Sequence, residues 1–454
     1  MSIPVQKNEY IELDIVSLGE AGEGIGRVDG FTIFVHGAVP GDKVKAKLIK
    51  VKKTYAVGKL DEVIKSSEDR VDPPCPYVSQ CGGCQIQHID YKAQLAYKRE
   101  FVQSAMDRIG KIDVEVLPTI GMDEPFRYRN KGQYPVGGTT DQPKIGFFKA
   151  RTHEVIDVDV CRLQSTSADK AVSIIRQELP KLGWPIYNEK THKGFLRHVL
   201  IRTAHKTGDM MVVFVVKGNK LRGAQPLIDR LLAEVPEIKS IILNENKSKG
   251  NRVLGFTNKT IWGSDKITDY IKDLSFEISP LSFFQVNPVQ TEKLYSKALE
   301  YAELTGDETV FDIYCGIGSI SLFLAQKAKL VVGVEIVEDA IKDAQANAKR
   351  NGFDNTDFHT GAAETIIPEL YKKGYKADVV VVDPPRKGCD EIVLKTIADM
   401  APKRVVYVSC KPSTLARDLR ILEDLGYKTV KVQPVDMFAH TGHVETVCEL
   451  ELKK

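Results

Sequence analysis

Beyond Ser279-Pro280 the chain repeats one pattern that leaves few folds open. Four apolar, β-branched runs follow in turn: "VFDIYCG" from Val310, "LVVGVEI" from Leu330, "ADVVVVDPP" from Ala377 and "RVVYVSC" from Arg404. Stretches of helical composition, such as "DAIKDAQANAKRNG" from Asp339, separate them. Strand–helix alternation of this kind predicts a parallel, doubly wound α/β sheet. In such sheets the ligand crevice opens at the carboxyl ends of the strands. Each of the four runs ends on residues with chemistry to offer: Gly316 and Gly318, Glu335, Asp383, and Cys410. They are scattered in sequence, yet the fold would bring them to one edge.

The rest of the chain reads differently. With 454 residues it is too long for a single core. Residues 4–65 alternate apolar and polar positions between Gly-rich turns, and "DKVKAKLIKVKK" puts lysines on one face and apolar residues on the other. A small β-barrel with a basic face is the expected solution. Residues 66–94 carry Pro73, Pro74, Pro76 and three cysteines. Tyr91–Gly110 has helical composition and a glycine stop. From about 112 to 275, short apolar runs alternate with turns and a few helical stretches, as in an α+β unit. We therefore expect three parts: 1–66, an OB-like barrel; 67–278, a central α+β domain; and 279–454, the doubly wound domain. No internal repeat is evident.

Apolar stretches such as Val379–Val382 fall far short of the ~20 residues of a membrane helix. The first twenty residues hold acids and no apolar h-region, so no secretory signal is expected and a cytoplasmic location follows as the default. The net charge of +3 is nearly neutral, but its distribution is uneven. Lys43 to Lys59 contains seven lysines and no acid, and Lys190 to Lys206 contains five Lys/Arg and three His with no acid. With the aromatic-rich "FRYRNKGQY" (Phe126–Tyr134) between them, these runs point to a polyanion partner.

Three of the eight cysteines form Cys75-x5-Cys81-x2-Cys84, and Cys161 follows at a distance. A cytosolic chain is not expected to pair them as disulfides. Four thiolates can close a tetrahedral site for zinc or hold an iron–sulfur cluster. In the doubly wound part, the Gly316-Ile-Gly318 loop follows a strand and precedes a helix, which suits a nucleotide-like ligand. It is not a full dinucleotide fingerprint, since Ser321 stands where a third glycine would be. Glu335 could accept from ribose hydroxyls, and Glu364 lies where an adenine neighbour would. Asp383 faces the crevice or simply forms a turn. Cys410 is either a small apolar core residue or a nucleophile at the sheet edge. Glu445, in the apolar run "GHVETVCEL", is either an edge residue in water or a tuned base.

Taken together, "SFFQVNP" (Ser282–Pro288), "DIYCGIG", "GVEIVEDAI", "DPPRKG", "VSCKPSTLARDL" and "HVETVCEL" resemble the RNA 5-methyluridine methyltransferase family, in its ribosomal RNA branch. The amino-terminal basic barrel, which looks like a TRAM domain, and the four cysteines extend the resemblance over nearly the whole chain. No chemical position departs from the pattern. The resemblance implies S-adenosylmethionine as methyl donor, contacted by Gln285, Tyr314, Glu335 and Asp383. It implies Cys410 as nucleophile and Glu445 as base. It implies a [4Fe-4S] cluster on Cys75, Cys81, Cys84 and Cys161, structural or RNA-docking in role, with zinc the alternative. The substrate implied is 23S ribosomal RNA, at one or two uridines, by a monomer that needs no protein or membrane partner.

Carbon 5 of uracil is a poor nucleophile, and a thiolate added at carbon 6 turns it into an enolate-like one. A base must then take the carbon-5 proton so that the thiol can leave. Thiolate formation calls for nearby positive charge, and Lys411 is the neighbour in sequence. Amine methylation typically shows Asn-Pro-Pro-aromatic, and here Arg386 follows the two prolines. The RNA 5-methylcytosine enzymes add a second cysteine after a proline at this motif, and none is present. A transfer RNA enzyme of the same chemistry is the alternative substrate class; the TRAM-like barrel and the four cysteines weigh against it, since that branch usually looks shorter and lacks them. A non-catalytic RNA-binding factor is disfavoured by the joint presence of Cys410, Glu445 and Asp383, and an NAD-dependent enzyme would leave Cys410 and the cysteine cluster unexplained.

Overall fold

The computed structural model describes residues 3–453. Strands Tyr10–Leu18, Glu23–Val28, Phe31–His36, Lys43–Val51 and Tyr55–Lys65 close into a barrel. The alternation in Lys43–Val51 decides its faces. Val44, Ala46 and Leu48 are fully buried, while Lys45 and Lys47 turn outward, with their ammonium groups 5.6 and 5.4 Å from the Tyr10 ring centroid.

A second, seven-stranded sheet follows, carrying the run Met210–Val216, buried at every position between two neighbours. Helices Thr166–Leu182 and Gln225–Glu234 cover one of its faces. The basic run from Lys190 is only partly a polyanion surface. Arg197 and Arg202 are buried in the strand Leu196–Thr203, and they donate to the carbonyls of Asn246 and Ser248 and of Pro280 and Ser282. Lys206 pairs with Glu292 at 3.0 Å. Arginines buried in this way hold segments together, so the phosphate-binding potential of the run rests on its remaining members.

The strands Thr309–Ile313 (β1), Leu330–Glu335 (β2), Thr356–Thr360 (β3), Val379–Val382 (β4), Arg404–Ser409 (β5), Tyr427–Val435 (β6) and Glu445–Leu452 (β7) form the third large sheet. Its order is β3-β2-β1-β4-β5-β7-β6. β1 to β5 run parallel, as the alternation predicts. β7 inserts antiparallel between β5 and β6. Such a sheet must be covered on both faces. Leu294, Tyr295 and Phe323 pack on one side, and Leu415, Leu419 and Ile397 on the other.

The segment from Tyr91 departs from the sequence reading. Asp90 caps the helix Tyr91–Ala105, its carboxylate accepting from the Lys92 amide at 2.9 Å, and a π-helical turn ends at Gly110. Its apolar face, with Val102, Ala105 and Met106, packs on the third sheet beside Leu419 and Val432. Val116 and Ile120 then bridge to Val432 and Val435 of β6. The stretch grouped with the central part by composition is thus docked on the doubly wound part, because its apolar stripe is buried there. Among the described residues no helix is long and apolar enough to cross a membrane.

Candidate active site

The crevice is built where β1, β2, β4 and β5 end. After Ile313 the chain turns through left-handed conformations at Tyr314 (φ 71°), Gly316 (φ 55°) and Gly318 (φ 80°) before the helix Ser319–Ala325. A Cβ on Gly316 would meet nothing within 4 Å, so the backbone there faces open space that a ligand can enter. Glu335 closes the loop from the end of β2. Its Oε2 accepts from the Gly316 amide at 3.3 Å and its Oε1 from the Val337 amide at 2.9 Å. Glu364 stands exposed in the first turn of helix Ala363–Lys372, and its charge acts on the Tyr314 hydroxyl. Gln285 is buried, its carbonyl accepting from Asn130 Nδ2 at 2.9 Å.

Asp383 follows β4, with its amide donating to the Ile313 carbonyl at 3.3 Å. Beneath it lies Asp312, which the sequence reading passed over. Asp312 is fully buried; Ser321 donates to its Oδ2 at 2.5 Å, while its Oδ1 has no partner. Burial pushes its carboxyl up to about 7. Burial and the Asp312 charge push Asp383 up as well. The signal for Asp312 was present: an acid inside an otherwise apolar strand needs a reason.

Cys410 stands at the end of β5. The extended Lys411 (φ −142°, ψ 101°) follows, and Pro412 is the first residue of helix Pro412–Asp424. Ser409 ↔ Thr446 is the last paired rung between β5 and β7. The next rung would set Cys410 opposite Glu445. Glu445 therefore lies on an interior strand, 5% exposed, and not at an edge in water. Burial first, then the Asp383 charge, push its carboxyl up, and Arg386 opposes. The thiol of Cys410 is pushed up to about 11 by burial, then by Glu445 and Asp383, and Arg386 again opposes. Arg386, on the rigid Pro384-Pro385 loop, is thus the cation that acts here. Lys411, adjacent in sequence, is not among the charges that act on the thiol.

Cys75, Cys81, Cys84 and Cys161, all free thiols, line one cavity of about 250 Å³, with Arg129 and Lys131 at its wall. Burial, then the charges of Cys161, Cys81 and Cys75, push Cys84 up to about 12. Burial pushes Cys161 up to about 11. The four residues therefore share one site. Among the described residues no three His, Cys, Asp or Glu close on a single-ion geometry. Four soft donors around one cavity suit either zinc or an iron–sulfur cluster.

A TRAM barrel joined to a glycine-loop, doubly wound sheet with acids at its strand ends defines an S-adenosylmethionine-dependent RNA methyltransferase. The TRAM domain model matches residues 4–60, and the tRNA (uracil-5-)-methyltransferase model matches residues 90–453. The chain belongs to that tRNA (uracil-5-)-methyltransferase family, and it is an RNA (uracil-5) methyltransferase. An uncharacterized RNA methyltransferase of Clostridium tetani is 55% identical over 445 residues, 98% of this chain and 97% of that protein. One of Halalkalibacterium halodurans is 52% identical, covering 99% and 98%. The crystal structure of the Pyrococcus abyssi tRNA (uracil-54, C5)-methyltransferase with S-adenosyl-L-homocysteine matches with a TM-score of 0.79 at 28% identity, covering 97% of this chain and 100% of that one.

Proposed function

We propose that this enzyme methylates carbon 5 of uridine in 23S ribosomal RNA, at one or two sites, through a covalent adduct between Cys410 and carbon 6. The observation that supports the chemistry is the strand register: its last rung pairs Ser409 with Thr446, so the next would bring Cys410 opposite Glu445, on which the Asp383 charge acts. Cys410 Sγ adds to carbon 6, and carbon 5 takes the methyl group from the sulfonium donor. Glu445 then removes the carbon-5 proton, the double bond re-forms and the thiolate leaves. Gln285, Tyr314, Gly316, Gly318, Glu335, Glu364 and Asp383 are proposed as the donor's contacts. Cys75, Cys81, Cys84 and Cys161 are proposed to hold a [4Fe-4S] cluster that anchors the segment around them. No step of the methyl transfer passes through it.

Transfer RNA is the second reading, and the Pyrococcus abyssi enzyme favours it. Its match covers 97% of this chain and 100% of that one, so the shorter length expected of transfer RNA enzymes does not separate the two. The test maps 5-methyluridine by mass in 23S RNA and transfer RNA from a strain lacking this protein. Loss confined to transfer RNA overturns the ribosomal assignment. In vitro, Cys410→Ala abolishes methyl transfer while RNA binding persists; full activity in that variant would remove the nucleophile.

A further inference from the structure

Residues 436–443 form a strap that leaves β6 and delivers the chain to Glu445 at the start of β7. Its first five residues, Asp436 to His440, are held from outside. Lys98 Nζ donates to Asp436 Oδ1 at 2.5 Å and to the Phe438 carbonyl at 3.1 Å. The Tyr91 hydroxyl donates to Asp436 Oδ2 at 2.8 Å, and the Tyr128 hydroxyl donates to the Ala439 carbonyl at 3.1 Å. Gln94 takes both sides of His440: its Oε1 accepts from the His440 amide at 3.1 Å, and its Nε2 lies 3.2 Å from Nδ1. The amides of Gln85 and Ile86, next to Cys84, both donate to the His440 carbonyl, at 3.0 and 3.2 Å. His440 also stacks on Phe126, ring centroids 4.3 Å apart, and holds a left-handed backbone at φ 66°.

These partners lie between residues 85 and 128, the segment that runs from the cysteine site onto the catalytic sheet; Asn287 Nδ2 and Gln290 Nε2 add bonds to the Met437 and Asp436 carbonyls, at 3.1 and 3.2 Å. The ion pair is out of water, with side chains 4% exposed for Lys98 and fully buried for Asp436. A buried pair costs several kcal/mol of desolvation per ion and is weak grounds for stability alone. What such a pair does well is fix a geometry. A non-glycine residue in the left-handed region likewise persists only where its surroundings over-determine it.

We propose that Lys98 and Gln94 are positioning residues for the last chemical step, holding the 436–443 strap so that Glu445 meets the carbon-5 proton. The inference rests on the reading of Glu445 as the base. In that step the C5–H bond breaks, the proton goes to the Glu445 carboxylate, and the C5–C6 double bond re-forms. The C6–S bond breaks with its electron pair leaving on Cys410 Sγ. Cys410 itself is carried by β5, outside the strap. Loosening the strap therefore delays release of the adduct and spares its formation and methylation.

The test uses full-length Lys98→Met and Gln94→Leu, with 23S RNA and transfer RNA fractions that lack 5-methyluridine and a donor labelled in its methyl group. First-turnover label incorporation and the covalent protein–RNA adduct on a denaturing gel are followed together. The expected result is near-normal first-turnover labelling with a methylated adduct that persists on the order of tenfold to a hundredfold longer, the scale of a misplaced catalytic group. Lys98→Arg, which keeps the charge and donors, restores normal release. If Lys98→Met does not fold, Gln94→Leu removes no charge and carries the test alone. Equal slowing of labelling and release, with no adduct, overturns the proposal. Glu445→Gln in parallel separates the two claims. No adduct there removes the base assignment, whereas an adduct there and none in Gln94→Leu removes the strap's role.

Discussion

Replacing Arg386 by glutamine removes the cation that opposes the high pKa of both Cys410 and Glu445. With the thiol at about 11, only about one Cys410 in a thousand is ionised at pH 8 before substrate arrives. A unit charge a few ångströms away at an effective dielectric near 20 is worth on the order of 2–4 kcal/mol. Arg386 is exposed, and solvent screening trims that to about 1 kcal/mol. This equals ~0.7 of a pKa unit, or a roughly fivefold smaller thiolate fraction at any pH below the thiol's own. The sign is fixed: losing a cation raises the pKa, so thiolate forms later as pH rises. The assay is alkylation of Cys410 by iodoacetamide in RNA-free protein between about pH 7 and 10, read on the Cys410 peptide by mass spectrometry. Arg386→Gln is expected to react about fivefold more slowly at neutral pH. Over that range the two log-rate profiles should rise in parallel, displaced by ~0.7 of a pH unit. A profile that does not move along the pH axis refutes the argument.

Three further outcomes follow. Gly388 has φ +80°, and a Cβ there would stand 2.4 Å from Asp418 Oδ2, so Gly388→Ala should cost about 2 kcal/mol or more in denaturant unfolding. Asp418 accepts from the Tyr407 hydroxyl at 2.6 Å and the Cys389 amide at 2.8 Å, so the same change should loosen the loop that carries Arg386 and lower activity. Lys45→Ala on the barrel should weaken RNA binding and reduce the slope of log affinity against log salt by about 1; an unchanged slope would take that face off the RNA. Anaerobic purification should yield about four iron and four sulfide per chain, and stoichiometric zinc instead would overturn the cluster.

The strand ends were legible because apolar runs bounded by glycine and proline declare themselves locally. Gly316, Glu335, Asp383 and Cys410 fall where the parallel-sheet rule puts them. The polarity of β7 was not legible. "HVETVCEL" says buried strand but not which neighbours it has, so Glu445 could not be told from an edge acid. Arg386 and Lys411 show the same limit: one is next to Cys410 in space, the other in sequence. Arg202 within the basic run reads as surface charge until Pro280 and Ser282 are seen to use it. The strap's partners lie some three hundred residues away in sequence, with sequence separations of 346 for Gln94 and His440 and 338 for Lys98 and Asp436, beyond the reach of any local pattern.

The insertion of β7 between β5 and β6 also sets how errors would propagate through this site. Side chains alternate faces along a strand, so a slip of one residue would turn Glu445 away from Cys410. The same slip would swap the surroundings of Val447 and Cys448, which belong to the cores on opposite faces of the sheet. A slip of register is therefore opposed by the whole hydrophobic interior, and it needs the sheet itself to open. The amides of Val408 and Thr446 should accordingly be among the slowest in the chain to exchange with deuterium, at rates set by global unfolding, while those of the strap exchange through local opening.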